Sequence, residues 1–165
     1  MPTNKIYAVA ETPVSFRDSG GTVAITLQNL GAGAGRISAQ WDRGAGAQPM
    51  RYRARITCSW AATVTVGQAI ELYLATSNGT DVDGTVGVVN AALTTEKRRN
   101  LQPVGFLIVD QTSANVPTTA AFTVDIYERY VSLGVWNATT VALQNTANTS
   151  YIVLTPYPDD IQAAS

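Results

Sequence analysis

Apolar and polar residues alternate with a period of two along most of the chain. The clearest case is MRYRARITCSW (50–60), in which Arg51, Arg53 and Arg55 point one way and the residues between them point the other. A period of two is typical of β-strands, whereas an amphipathic helix repeats every 3.6 residues. The stretch therefore predicts a strand with one apolar face and one arginine-bearing face.

The same pattern predicts strands before and after this one. Residues 12–28 predict a hairpin, because the turn-forming sequence DSGG (18–21) separates two alternating runs. The run VGFLIVD (104–110) is continuously apolar, as expected for a strand covered on both faces. The remaining predicted strands are 37–41, 70–74, 122–126, 130–136, 139–143 and 150–156.

Eight to ten short strands separated by Gly, Asn, Asp and Pro predict an all-β fold, an antiparallel β-sandwich. A jelly roll suits this length best, and an immunoglobulin-like sandwich is the alternative. The only helix-like stretch is 90–100, which allows at most one short helix. We divide the chain into an N-terminal arm and first strand (1–12), a jelly-roll sandwich (13–156) and a C-terminal tail (157–165).

Composition narrows the chemistry of the 165-residue chain. There is no histidine, which removes imidazole-dependent triads and most transition-metal sites. Cys58 is the single cysteine and falls at an inward position of its strand, so we expect a buried, unreactive thiol. The formal net charge of −1 argues against broad electrostatic binding to nucleic acid.

No candidate catalytic, metal or cofactor site emerges from the motifs. Glu71 and Asp125 are the only strand-borne carboxylates that could act as an acid–base pair, and neighbouring arginines would lower the pKa of each. GAGAGR (31–36) lacks the ending of a phosphate loop, and DVDG (81–84) lacks the later ligands of a calcium loop. We therefore predict a protein that is not an enzyme and that has no cofactor.

The three arginines of 50–60 allow three interpretations. They form a solvated sheet face, with Glu71 or Asp125 pairing across strands; they form a protein interface, in which arginine is enriched; or they bind phosphate. The second basic cluster, EKRRN (96–100), is interpreted as a solvated helix end or as a second docking surface. The Asn-X-Ser/Thr triplets at Asn78, Asn137 and Asn148 are interpreted as chance.

Three stretches resemble proteins from the head-gene region of tailed bacteriophages. They are AVAETPVSFRDSGGTVAITLQNL (8–30), LTTEKRRNLQPVGFLIVDQT (93–112) and RYVSLGVWNATTVALQNTANTSYIVLTPYPDDIQ (129–162). The resemblance implies a jelly-roll decoration, or cement, protein on the outer capsid surface of the virion. Such a protein clamps neighbouring subunits of the major capsid protein, often as a homo-oligomer.

The resemblance leads to a set of expectations for this chain. Its partners are the major capsid protein and itself, as a dimer or trimer, with no membrane and no direct nucleic-acid binding; synthesis is in the bacterial host cytoplasm. The alternative is a receptor- or carbohydrate-binding module of a tail fibre, with the loop TSNGTDVDGT (76–85) as its site. The candidate interface residues are Pro2, Asn4, Lys5, Arg51, Arg53, Arg55, Arg98, Arg99, Tyr157 and Asp159.

Overall fold

A computed structural model describes residues 12–46, 48–83 and 89–157. Within these ranges the chain forms eleven β-strands and one short helix. The strands are β1 (Val14–Arg17), β2 (Val23–Ala24), β3 (Gly35–Ile37), β4 (Trp41–Asp42), β5 (Arg51–Cys58), β6 (Ala69–Ser77), β7 (Ala91–Leu93), β8 (Gln102–Ile108), β9 (Thr118–Asp125), β10 (Tyr130–Asn137) and β11 (Tyr151–Pro156), and the helix is α1 (Thr95–Arg98).

The strands form two sheets. The five-stranded sheet has the order β2-β1-β11-β5-β9, and the six-stranded sheet has the order β7-β3-β10-β6-β8, with β4 also paired to β10. Antiparallel ladders join β1 to β11, β3 to β10, β5 to β9 and β6 to β8. If the short strands β2, β4 and β7 are set aside, eight main strands remain. The first of these pairs with the last, the second with the seventh, the third with the sixth and the fourth with the fifth. This is a jelly roll, so the predicted fold class is confirmed.

The main core fills the space between the two sheets. The apolar residues of β5 (Tyr52, Ala54 and Ile56) are buried there, while the three arginines of the same strand are exposed. Burying one large apolar side chain stabilises a fold by about 1.5–3 kcal/mol. The alternation therefore fixes which face of β5 turns inward, because a one-residue shift would bury the arginines. The predicted two-faced strand is confirmed.

A smaller apolar cluster lies on the outer face of the six-stranded sheet. Ile37 and Ala75 from the sheet pack there against Leu93 and Leu101 from the connection that contains β7 and α1. The Thr94 hydroxyl accepts a hydrogen bond from the backbone N–H of Lys97 and so caps α1. The connection thus covers part of this sheet face, whereas the exposed residues of β5 and β9 leave the other sheet open to solvent.

The predicted hairpin at 12–28 is wrong in its pairing. β1 and β2 pair in parallel, with Phe16 opposite Val23, and the antiparallel partner of β1 is β11 at the other end of the chain. β11 offers β1 a longer apolar partner than the two residues of β2 do. β1 therefore forms its antiparallel ladder with the distant strand β11, and the turn at 18–21 does not produce a hairpin.

Three other strand predictions also need correction. The run 104–110 is not covered on both faces, since Phe106 and Ile108 are 55% and 53% exposed on the outer side of edge strand β8. The predicted strand 139–143 is reduced to one bridge between Trp60 and Leu143. The predicted strand 37–41 is divided between β3 and β4, because the chain leaves the ladder between them.

The helix predicted at 90–100 is shorter than expected. The first part of that stretch is strand β7, paired with β3, and only four residues form α1. In the described part of the chain, nothing helical is long and apolar enough to cross a membrane. The predicted arm and tail lie outside the described residues, apart from Thr12 and Tyr157.

The thiol of Cys58 is fully buried and unpaired, which confirms the expected environment. Burial raises its pKa from 9.0 to about 12, and a hydrogen bond with Ser150 offsets this only in part. We expect a thiol-specific chromogenic reagent at pH 8 to label native protein at least about a hundredfold more slowly than denatured protein, because the thiolate is the reactive form. Equal labelling rates would contradict the buried position.

Candidate functional site

The outward-facing residues of the five-stranded sheet form the surface that we call the arginine face. It consists of the outward side chains of β1, β11, β5 and β9, and its charged members are Arg17, Arg51, Arg53, Arg55 and Asp125. Four arginines and one aspartate leave three positive charges on this face of a chain whose net charge is −1. The face is therefore a local concentration of positive charge.

One arginine on this face is neutralised by the expected cross-strand pair. Nε of Arg51 lies 2.9 Å from Oδ1 of Asp125, its direct partner on β9. Both side chains are well exposed, so the pair contributes at most about 1 kcal/mol to stability. The pair neutralises the charge of Arg51 at one end of β5. The register places no carboxylate opposite Arg53 or Arg55 on the neighbouring strands β9 and β11.

Arg53 and Arg55 are surrounded by neutral side chains. The register places Thr155 and Thr123 beside Arg53, and Val153 and Ala121 beside Arg55. Both arginines are exposed, and no described residue forms an ion pair with either. Two guanidinium groups thus project from the sheet with their hydrogen-bond donors available to a partner.

The sequence analysis missed two members of the arginine face. Arg17 on β1 and Tyr151 on β11 lie on the same side of the sheet as Arg55, and the guanidinium carbon of Arg17 lies 4.4 Å from the Tyr151 ring centroid. The alternation in β1 indicated an outward Arg17, but only the pairing of β1 with β11 reveals its neighbour. Tyr157 also falls on this side by alternation, and its backbone N–H donates to the carbonyl of Arg51.

The second basic cluster lies on the opposite side of the sandwich. Arg98 is not a free surface group: its Nη1 lies 2.7 Å from Oε2 of Glu71, and its guanidinium stacks 4.3 Å from the Trp136 ring centroid. Tyr73 donates a 2.5 Å hydrogen bond to the same carboxylate oxygen. Burial, together with the hydrogen bond to Glu71, raises the pKa of Tyr73 to about 12. These contacts fasten α1 to the sheet.

The candidate interface residues are therefore not all on one surface. Arg51, Arg53, Arg55 and Tyr157 share the arginine face, whereas Arg98 and the exposed Arg99 lie beside the six-stranded sheet. The other four candidates, Pro2, Asn4, Lys5 and Asp159, lie outside the described residues. Among the described candidates, the largest group on one surface is therefore the four residues of the arginine face.

The loop predicted as a sugar-binding site has no aromatic residue. In its described part, 76–83, Asn78 accepts hydrogen bonds from the backbone of its own turn, and Thr76 donates to Asp83. Its polar groups are thus largely engaged with each other. No group of three His, Cys, Asp or Glu residues suited to a metal ion occurs within 12–46, 48–83 and 89–157.

Comparisons with known proteins identify similar structures but no family. No protein-family model matches the chain, and no curated protein does. One similar solved structure is the Clostridium thermocellum xylanase 10B CBM22-1–GH10 modules complexed with xylohexaose, with TM-score 0.41 and 9% identity over 98% of this chain, which spans 29% of that chain. Another is the EclA C-terminal domain, a sugar-binding protein, with TM-score 0.34 and 12% identity over 92% of this chain and 80% of that one.

Proposed function

We propose that this chain is a structural protein of a tailed-phage virion that docks on the outer capsid surface and clamps neighbouring major capsid protein subunits. The observation that carries the proposal is the pair of exposed arginines, Arg53 and Arg55, whose cross-strand neighbours in the described part of the chain include no carboxylate. The resemblance to head-gene proteins supplies the identity of the partner.

The arginine face suits a carboxylate-bearing protein surface. A guanidinium group forms two parallel hydrogen bonds with a carboxylate, which fixes orientation as well as adding binding energy. The four strands of the arginine face, spaced about 4.8 Å apart, give a face roughly 14 Å wide. The small threonine, valine and alanine neighbours of the arginines let a partner approach the sheet closely.

A protein partner fits this face better than nucleic acid does. Nucleic-acid binding at physiological salt requires many phosphate contacts, whereas this face has three net positive charges in a chain of net charge −1. A few arginines on a flat surface are instead typical of protein interfaces. Neither an enzymatic role nor a cofactor enters this proposal.

Replacing Arg53 and Arg55 by Ser should weaken docking. We expect at least about a tenfold loss of affinity. Removing one charged interfacial hydrogen bond often weakens the binding free energy by more than about 1.4 kcal/mol, which corresponds to a factor of ten. The measurement is cosedimentation of the purified chain with expanded capsids of the phage that encodes it. The capsids are prepared from a phage strain in which the gene for this chain is deleted. Wild-type protein should saturate at a simple ratio to the major capsid protein, and higher salt should weaken binding.

The matched control removes the same charge from the opposite side of the sandwich. Lys97→Ser combined with Arg99→Ser changes two cations near α1 and should leave capsid occupancy unchanged. If the control loses binding and the Arg53/Arg55 variant keeps it, the docking face is wrong. If wild-type protein never sediments with such capsids, the proposed function itself is wrong.

A further inference from the structure

A groove on another part of the surface has Tyr127 at its centre. One cavity of about 360 Å³ lies between the edge strands β8 and β9, and Gln102, Asp125, Tyr127 and Glu128 contribute to its wall. A second cavity of about 140 Å³ lies beside the connection from β4 to β5, and Tyr127 also lines it together with Gln48. We call the two cavities together the Tyr127 groove.

The Tyr127 ring is an exposed aromatic surface. It is 71% exposed, the highest value among the large apolar side chains in the described ranges. An exposed tyrosine ring does not stabilise the core, and the hydrophobic effect favours covering the ring with another molecule. Tyr127 lines both cavities, so a molecule bound in either one can contact its side chain.

The backbone on both sides of Tyr127 is held by a buried arginine. Arg43 is only 7% exposed, and its Nη1 donates to the carbonyls of Ile126 at 3.0 Å and Glu128 at 2.7 Å. Its Nη2 donates to the carbonyl of Pro49. Burying a charge is costly, and the hydrogen bonds of Nη1 and Nη2 offset part of that cost, although Nε has no partner among the described residues. Breaking these bonds would leave the charge uncompensated, so they hold the turn in place. The exposed ring is therefore presented from a rigid backbone.

An ion pair also fixes the end of the same turn. Arg129 contacts both carboxylate oxygens of Asp42, at 2.8 and 2.9 Å. The Arg129 hydrogen bond and the backbone N–H of Gly44 lower the pKa of Asp42 to about 2, so the pair stays ionised at neutral pH. Little conformational entropy remains to be lost when a molecule binds against this turn.

The polar side chains around the ring have unused hydrogen-bonding capacity. Gln102 and Glu128 are exposed in the larger cavity, Gln48 is half-buried in the smaller one, and none of their side chains has a hydrogen-bond partner among the described residues. Asp125, by contrast, is engaged with Arg51. Two amides and one carboxylate thus remain available on either side of the ring.

We propose that the Tyr127 groove binds a neutral oligosaccharide. A pyranose ring has apolar C–H faces, which pack on the π-face of a rigid aromatic ring, and hydroxyl edges, which amides and carboxylates recognise by paired hydrogen bonds. Tyr127 supplies the platform, and Gln102, Glu128 and Gln48 supply the hydrogen-bonding groups. The larger cavity has the size of a small-molecule site, roughly 300–1,000 Å³.

Other ligand classes fit the groove less well. Anionic ligands would meet the carboxylates of Asp125 and Glu128 in the larger cavity, and a divalent cation would find only one carboxylate that is not already paired. A purely apolar ligand would leave the amides without partners. The inference does not depend on capsid docking, because neither Arg53 nor Arg55 lines the groove.

The test is binding of the purified chain to an array of immobilised glucans, mannans, galactans and xylans, with uronic- and sialic-acid glycans beside them. We expect retention on at least one neutral glycan, followed by titration calorimetry with that glycan in solution. Tyr127→Ala should weaken binding about tenfold or more, since the stacking surface is lost, and Tyr127→Phe should retain most of the affinity. Glu128→Ala should weaken binding several-fold.

Matched controls separate the groove from the rest of the surface. Tyr157→Ala removes an exposed tyrosine from the arginine face and should bind as wild type does, as should the Arg53/Arg55 double variant. Melting temperatures of all variants verify folding. The proposal is overturned by no neutral glycan bound at millimolar concentration, by binding to acidic glycans only, or by undiminished binding of Tyr127→Ala.

Discussion

Asn137→Ala should lower the free energy of unfolding by about 3–4 kcal/mol, which corresponds to a fall in Tm of roughly 10 °C for a domain of this size. Asn137 ends β10 and is completely buried. Its amide nitrogen donates to the carbonyls of Leu30, Gly31 and Val141 at 2.9–3.1 Å. Its amide oxygen accepts from both the backbone and the hydroxyl of Thr139.

The expected loss follows from the number of buried bonds that disappear together. Alanine removes the two N–H donors and the acceptor oxygen that make these five hydrogen bonds, and each such bond contributes about 0.5–1.5 kcal/mol. The backbone N–H of Thr139 loses its partner, and the missing amide leaves a cavity as well. The carbonyls of Leu30, Gly31 and Val141 each keep another hydrogen bond, so none of them is left unpaired. This limits the loss of unfolding free energy.

Asn100→Ala is the matched control for this prediction. Asn100 is exposed after α1, and no hydrogen bond of its side chain is present within the described residues, so its replacement should change Tm by less than about 2 °C. Chemical denaturation followed by far-ultraviolet circular dichroism measures both variants. A similarly small change for Asn137→Ala would mean that its amide does not hold the 30–34 loop.

Gly35→Ala should lower the free energy of unfolding by about 2–3 kcal/mol through steric overlap. Gly35 lies in β3 directly between Leu93 on β7 and Trp136 on β10. An added Cβ would lie 2.6 Å from Cε3 of Trp136 and 3.0 Å from the carbonyl oxygen of Leu93. The Trp136 indole also stacks against Arg98, 4.3 Å from the ring centroid, and the Leu93 contact is with backbone, so relieving the overlap is costly.

A change in tryptophan emission should accompany the loss of stability, because Trp136 must shift. Gly31→Ala in the same GAGAG segment is the control: its added Cβ meets only the Ala34 Cβ at 3.9 Å, and Gly31 is not among the positive-φ glycines. The control should be neutral or more stable by about 0.4–1 kcal/mol, since alanine restricts the unfolded chain. Equal stability of the Gly35 and Gly31 variants would contradict the close contact.

The three glycines of GAGAG (31–35) are under different constraints in the structure. Gly35 belongs to a strand, Gly33 adopts a φ of +66° that favours glycine, and only Gly31 is unconstrained. Asn137 then fastens the loop to the end of β10. The sequence showed Asn137 only as part of a glycosylation-like triplet, because its function depends on carbonyls more than a hundred positions away.

Local alternation determined a large part of the fold. The strands β5, β6, β10 and β11 follow directly from the period of two, since each must bury one face. The outward direction of Arg51, Arg53 and Arg55 and the inward direction of Cys58 follow from the same rule. These features depend only on neighbours along one strand, so they can be derived without knowledge of the fold.

Pairing between strands was decided by the tertiary structure. β1 takes β11 rather than β2 as its antiparallel partner, a choice between surfaces that are far apart in sequence. Asp125 meets Arg51, whereas Glu71 meets Arg98 of α1 and not an arginine of β5. A sequence pattern gives the direction of a side chain relative to its own strand, but not which chemical group lies opposite.

The two candidate sites divide along the same line. The arginine face could be predicted because its central residues belong to one alternating strand. The Tyr127 groove could not, because Gln48 and Gln102 are far from Tyr127 in sequence and each shares a cavity with it only in the folded chain. The sequence by itself therefore determined the class of fold and one charged face; tertiary contacts decided the strand order and the groove, since these depend on non-local packing.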